Sequence, residues 1–135
     1  MILESILNKI ENIDAPYEEY VSEYIHQTEL DLGIGKKYVV YGITFRANIP
    51  WFYICEEESD DYPRPHFCGF FKVIDAKVSS LWKIYYSSQE KNISNILPEI
   101  WGDNLSFYEN LIEGNEFETA TFQKLKLSID KEAIS

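Results

Sequence analysis

Lys37-Tyr-Val-Val-Tyr-Gly-Ile-Thr-Phe-Arg46, Ala47-Asn48-Ile49-Pro50 and Trp51-Phe-Tyr-Ile-Cys55 form the stretch whose reading decides the fold. Its first ten residues are β-branched and aromatic, the composition of a pleated strand. Val39, Tyr41, Ile43 and Phe45 share one face, and Val40, Gly42 and Thr44 the other. Ala47-Asn48 turns the chain, Pro50 suits the start of a strand, and Trp51–Cys55 runs back. An acidic run, Glu56-Glu57-Glu58-Ser59-Asp60-Asp61, then opens a loop that continues to Pro65. His66–Ile74 reads as a third strand with Gly69 as a bulge, and Val78–Tyr86, containing Trp82, as a fourth. Connections this short favour antiparallel pairing, because parallel strands need long crossovers. The expectation is a four-stranded antiparallel meander over 37–46, 51–56, 66–74 and 78–86.

Outward from this sheet the hydrophobic period changes. Ile2, Leu3, Ile6, Leu7 and Ile10 recur at helical spacing, with Glu4, Asn8, Lys9 and Glu11 between them. Asp14 is placed as an N-cap with Pro16 in the first turn, and Tyr17, Tyr20, Val21, Tyr24 and Ile25 form a second stripe. Gly33 and Gly35 close this region. On the other side, Ile93, Ile96, Leu97 and Ile100 predict a helix over Asn92–Trp101, limited by Pro98. Leu105, Tyr108, Leu111 and Ile112 predict another, stopped at Gly114, and Phe117, Phe122, Leu125 and Ile129 a last one. The chain reads as one α+β domain: 1–32 helical, 37–86 antiparallel sheet, 91–130 mainly helical.

The 135 residues are the usual size of a domain that folds without staples. The formal net charge is −11, and the first thirty-one residues hold eight acids against one Lys. That balance argues against nucleic acid, which requires clustered Lys and Arg, and against anionic membrane surfaces. It favours a basic protein partner. Ten Tyr, eight Phe and three Trp can fill a core and still supply interface anchors. Met-Ile-Leu-Glu-Ser-Ile-Leu lacks the basic start of a signal peptide, and no apolar run is long enough to span a bilayer. With two cysteines, this fits a reducing cytoplasm.

Catalytic signatures are absent from the sequence. Cys55, His66 and Cys68 are the one soft metal-ligand cluster, but zinc requires a fourth ligand and usually a C-x-x-C knuckle. If 51–56 and 66–74 pair about the loop centre, Cys55 and Cys68 lie nearly opposite as reduced thiols with no metal. Neither His26 nor His66 stands in a nucleophile signature. Glu56–Asp61 lacks the D-x-D-x-D-G spacing of a calcium loop. Gly33-Ile34-Gly35 is too short to cradle a phosphate. No cofactor is expected.

Gly35-Lys36-Lys37-Tyr38-Val39-Val40-Tyr41-Gly42-Ile43, then Ile49–Cys55 ahead of an acidic loop with Pro63 and Pro65, resembles small bacterial immunity proteins of polymorphic-toxin systems. Phe70-Phe71-Lys72-Val73-Ile74-Asp75, with Ser79, Ser80 and Trp82 following, extends the resemblance over residues 35–86. The resemblance implies a cytosolic protein that binds and neutralises a cognate toxin; the residues read independently, without a catalytic centre, lead to the expectation of no enzymatic activity. The candidate partner-binding residues are Glu56, Glu57, Glu58, Asp60 and Asp61, with the aromatics Tyr62 and Trp82. The alternatives are a small-ligand binder or hydrolase with a pocket between sheet and helices, and a structural or regulatory subunit that oligomerises through its helices.

Overall fold

The computed structural model describes residues 1–14, 17–26, 29–87 and 93–135, leaving aside the side chains of 87 and 93. It is an α+β architecture with two antiparallel sheets. Its strands are β1 (Ile2–Ser5), β2 (Lys37–Val39), β3 (Gly42–Arg46), β4 (Ile49–Ile54), β5 (Arg64–Phe67), β6 (Phe71–Asp75), β7 (Trp82–Ser87) and β8 (Ile93–Pro98). Its helices are α1 (Tyr17–Ser22), α2 (Glu99–Gly102), α3 (Phe107–Ile112) and α4 (Glu116–Ile134). One sheet has the order β2-β1-β6 and the other β5-β4-β3-β8-β7.

The expected single four-stranded meander is therefore corrected. Of its consecutive pairings, the 37–46 strand with the 51–56 strand and the latter with the start of 66–74 are formed, as β3–β4 and β4–β5. The stretch 37–46 is broken at Val40-Tyr41, with β2 in the small sheet and β3 in the large one. The backbone groups at the break are paired: the Val40 amide donates to Met1 O at 3.1 Å and the Tyr41 amide to Tyr53 O at 2.9 Å. The stretch 66–74 is likewise broken by a 3₁₀ turn at Cys68–Phe70, after which β6 joins the small sheet. The chain thus passes from sheet to sheet three times, at these two corners and again between β6 and β7.

Two segments read as helix are strands. β1 is the centre of the small sheet, and its buried residues Leu3 and Ser5 follow the period of two. β8 lies between β3 and β7. Both sequences carry adjacent apolar pairs that fit either period, and distant strands decided the outcome. The expected helical 1–32 thus reduces to the six-residue α1 and a 3₁₀ turn at Ile10–Asn12, and 91–130 opens with a strand. The C-terminal helices fall where expected, although α4 runs on to Ile134. Pro16 and Asn92, named in the helix readings, lie outside the described residues. Among the described residues no helix is long and apolar enough to cross a membrane.

The core has two parts on opposite faces of the large sheet. Ile43, Phe52 and Ile54 face the small sheet, where Phe52 meets Phe71 with ring centroids 6.3 Å apart. Tyr53 and Leu97 face α2, α3 and α4 with Trp101, Phe107, Leu111, Phe122 and Ile129. The buried stripe of α4, Phe122, Lys126, Ile129 and Ala133, advances by three or four residues. The β3–β4 hairpin turns on Ala47 and Asn48, both at positive φ (50° and 65°), the backbone of a two-residue turn matched to sheet twist. At its far end, a Cβ on Gly42 would lie 2.7 Å from Leu97 Cδ2 and 3.5 Å from the Trp101 ring. Gly42→Ala is therefore expected to destabilise the protein by about 1–3 kcal/mol, read as a lower urea midpoint at unchanged m-value. An unchanged midpoint would mean that β3 and β8 do not pack as closely as described.

Candidate functional site

The loop between β4 and β5 divides its own carboxylates into two groups. Glu56 turns inward, with Oε1 3.0 Å from His66 Nε2, and the ring's Nδ1 is 2.8 Å from Arg64 O. The Arg64 carbonyl accepts, and so does an ionised carboxylate. Lys36 Nζ donates to Glu56 O at 3.0 Å. Asp60 closes the turn, its Oδ2 accepting from the Glu57 amide at 3.1 Å while its own amide donates to Glu57 O at 3.1 Å. The return leg is held by Tyr108, whose hydroxyl donates to Pro63 O at 2.7 Å. Tyr62 is half-buried against the helical core, with the Arg64 guanidinium 5.6 Å from its ring centre. Glu57, Glu58 and Asp61 are left exposed on this braced loop, outside the ion pairs of the described residues.

The N-terminal segment adds a second acidic element beside it. α1 is pinned to the β3–β4 hairpin: Tyr20 hydroxyl donates to Arg46 O at 2.9 Å and accepts from Trp51 Nε1 at 2.9 Å. The Arg46 guanidinium lies 5.0 Å from the Tyr24 ring centre and 4.6 Å from that of Trp51. Next to it a cleft of about 520 Å³ is lined by Lys9, Glu11, Glu18, Ser22, Ile25, His26 and Glu29. A smaller one of about 210 Å³ is lined by Ile25, His26, Leu30, Glu56, Arg64 and His66. Ile25 and His26 border both clefts, a trough in two parts of which the smaller reaches Glu56. The trough's four carboxylates outnumber the cations Lys9 and Arg64.

The predicted site residues are thus not one surface. Glu56–Tyr62 lie together, with Glu56 and Asp60 holding the loop's shape. Trp82 starts β7, at the opposite edge of the large sheet, half-buried with its indole N–H donating to Tyr41 O at 3.0 Å. Glu11, Glu18, Glu29 and His26, which line the clefts, were not among the predicted residues, although the acidity of the first thirty-one residues was the available signal. The cysteines are not opposite each other. The register pairs Trp51 with Phe67 and Ile54 with Arg64, which sets Cys68 one position beyond Phe67 and Cys55 one beyond Ile54, at opposite ends of the ladder. The loop is centred nearer β4 than the symmetric pairing assumed.

A buried polar cluster lies under α4. Tyr41 hydroxyl donates to Asp130 Oδ1 at 2.6 Å, and Lys126, itself buried, donates to Asp130 Oδ2 at 3.1 Å. Burial pushes the nearby Cys55 thiol up to about 12, against the opposing pull of Lys126, and pushes Cys68 up as well. Both thiols therefore stay protonated and weakly nucleophilic at neutral pH. Burial and the bond to Asp130 hold the Tyr41 phenol well above its ordinary range, and burial does the same for Tyr108.

A raised folded-state pKa means that the native protein keeps a proton the unfolded chain releases. The stabilisation is complete below the unfolded pKa, about 8.5 for Cys and 10 for Tyr, and is lost as pH rises toward the folded value. Stability is expected to fall from about pH 9 upward, by up to about 1.4 kcal/mol per pH unit for each group in its window. Urea midpoints measured from pH 7 to pH 11 check this. Cys55→Ala and Tyr41→Phe should each flatten the fall, and a fall in both variants as steep as in the wild type would sink the assignment.

No family model, curated protein or solved structure matches the chain.

Proposed function

We propose that this chain is an acidic binding protein, without enzymatic activity, that neutralises a cognate bacterial toxin by covering a cationic surface on it. The observation that carries the reading is the braced loop: Glu57, Glu58 and Asp61 project from a backbone held by Asp60, Glu56–His66, Lys36 and Tyr108. Presenting fixed rather than mobile carboxylates lowers the ordering cost of association. The adjoining trough, with Glu11, Glu18 and Glu29, extends the same negative field and speeds encounter with a cationic partner. The immunity-protein resemblance of residues 35–86 supplies the class of that partner, and a cytoplasmic location goes with it. In this reading Glu56 and Asp60 support the loop, Tyr62 lies beside the contact surface, and Trp82 lies outside it.

A second reading, a small-ligand binder, is favoured by one apolar groove of about 420 Å³. It lies among Leu7, Ile13, Tyr17, Ile49, Pro50 and Phe67, with Asn12, Asp14 and Asn48 also lining it. The two readings part in one experiment, the binding kinetics of the product of the neighbouring open reading frame at low and physiological ionic strength. Glu57→Gln, Glu58→Gln and Asp61→Asn together are expected to slow association about tenfold at low salt, and to leave dissociation within about threefold. Association that is unchanged removes the loop from the interface. Absence of binding returns the ligand reading to first place.

A further inference from the structure

The two sheets end in four edge strands, β2, β6, β5 and β7. An exposed edge carries unpaired backbone groups that invite another strand, and proteins normally blunt it with charge, proline or brevity. Three of the four are blunted. β2 is three residues long and begins with Lys37, β5 contains Pro65, and β6 carries Lys72 and Asp75. The fourth, β7, is six residues long and pairs only with β8 among the described residues. Its one charge, Lys83, is turned to the helical side, where Nζ donates to Glu99 Oε1 at 2.6 Å. On the other face Ile84 is 78% and Tyr86 72% exposed, because the small sheet does not reach that far. The approach to the strand adds exposed Val78 and Leu81.

We infer that β7 is a homodimerisation edge, at which two copies of this chain pair their β7 strands antiparallel into one continuous ten-stranded sheet. Charge selects a second copy as the occupant. In a chain of net charge −11, residues 76–89 contain no carboxylate and two lysines. Lys83 is paired with Glu99, and Lys77 lies beside Glu132, whose carboxylate accepts from Ser79 and Ser80, so these charges balance; Asp103, accepting from Tyr85, adds one carboxylate on the helical side, and the face of Ile84 and Tyr86 carries no charge. Neither a basic nor an acidic partner gains attraction there. A neutral strand with apolar residues on its open face matches it, and β7 is such a strand. The remaining acids repel across the pair, but over distances screened beyond about 8 Å in physiological salt. A two-fold axis perpendicular to the sheet at Tyr85 keeps like faces together. It sets Ile84 of each copy opposite Tyr86 of the other, two cross-strand pairs of aliphatic and aromatic side chains.

This inference is independent of the acidic loop, and the sign of its salt dependence separates the two. Binding of a cationic partner weakens with salt, whereas association of two −11 chains strengthens. Sedimentation velocity of the wild-type protein up to about 200 µM should give a dimer whose fraction rises with ionic strength. Ile84→Lys and Tyr86→Lys should each be monomeric with unchanged circular dichroism. Leu105→Lys, at an exposed position on the helical side, should still dimerise. Should either β7 variant fail to fold, amide exchange of wild-type β7 provides the second readout, slowing as protein concentration rises. A monomeric wild type at about 200 µM, a dimer indifferent to both β7 substitutions, or concentration-independent exchange would each overturn the assignment.

Discussion

Tyr41 ties the molecule together. Its amide donates to Tyr53 O in β4, its carbonyl accepts from the indole of Trp82 at the start of β7, and its hydroxyl donates to Asp130 in α4. The residue before it, Val40, is fully buried, and its amide donates to Met1 O ahead of β1. At this corner the chain leaves the small sheet and enters the large one. The polar groups of one buried corner are thereby satisfied by four separate elements, as burial requires. The two core clusters meet there, with Val40 in the cluster between the sheets and Tyr41 in the one beneath the helices. A change at this corner is felt by both.

That corner also explains what could and could not be read from the chain. The β3–β4 hairpin was legible because its signal is local: alternation, a two-residue turn, and a partner strand immediately following. β1 and β8 were not, because Ile2-Leu3 and Ile96-Leu97 suit either period. Their strand state depends on Phe71–Asp75 and Gly42–Arg46, far away in sequence. The break in 37–46 was equally hidden, since Val40-Tyr41 differs in no obvious way from the strand residues around it. α4 was legible because nineteen residues sample the helical period many times. The thiols were misplaced for a geometrical reason: a loop of unknown shape cannot fix register, and each position of slip carries a side chain to the other face.

The acidic run illustrates a different limit. Five carboxylates in six residues read as one charged unit, because only Arg64 stands near them in sequence. The fold brings in His66, Lys36 and a backbone amide, and uses two of the five to shape the loop. Tyr62 and Trp82, taken together as exposed aromatics, serve opposite ends of the sheet and are half-buried. Packing covers part of each ring, Tyr62 against the helical core and Trp82 through its indole bond to Tyr41. The acids of α1 and its flanks carried no motif; the contacts of Tyr20 and Tyr24 hold α1 to the β3–β4 hairpin, and Ile25 and His26 after it border the cleft that Glu56 lines.

The distribution of charge is the last consequence. Eight of the twenty-three acids lie in the first thirty-one residues and five in the loop. The N-terminal clefts and the loop are both acidic, while residues 76–89 contain no acid of their own and meet Glu99, Asp103 and Glu132 from the helical side. A molecule charged evenly to −11 would repel its own copies from every direction. The carboxylates closest to β7, Glu99 on Lys83 and Asp103 on Tyr85, lie on its helical side, opposite the face that bears Ile84 and Tyr86. The same sheet therefore separates two surfaces of different chemistry. In the reading proposed above, one edge attracts a cation-rich surface at long range and the other pairs with an uncharged strand at short range. Because β3, β4 and β8 lie between them, occupying one edge leaves the other sterically open.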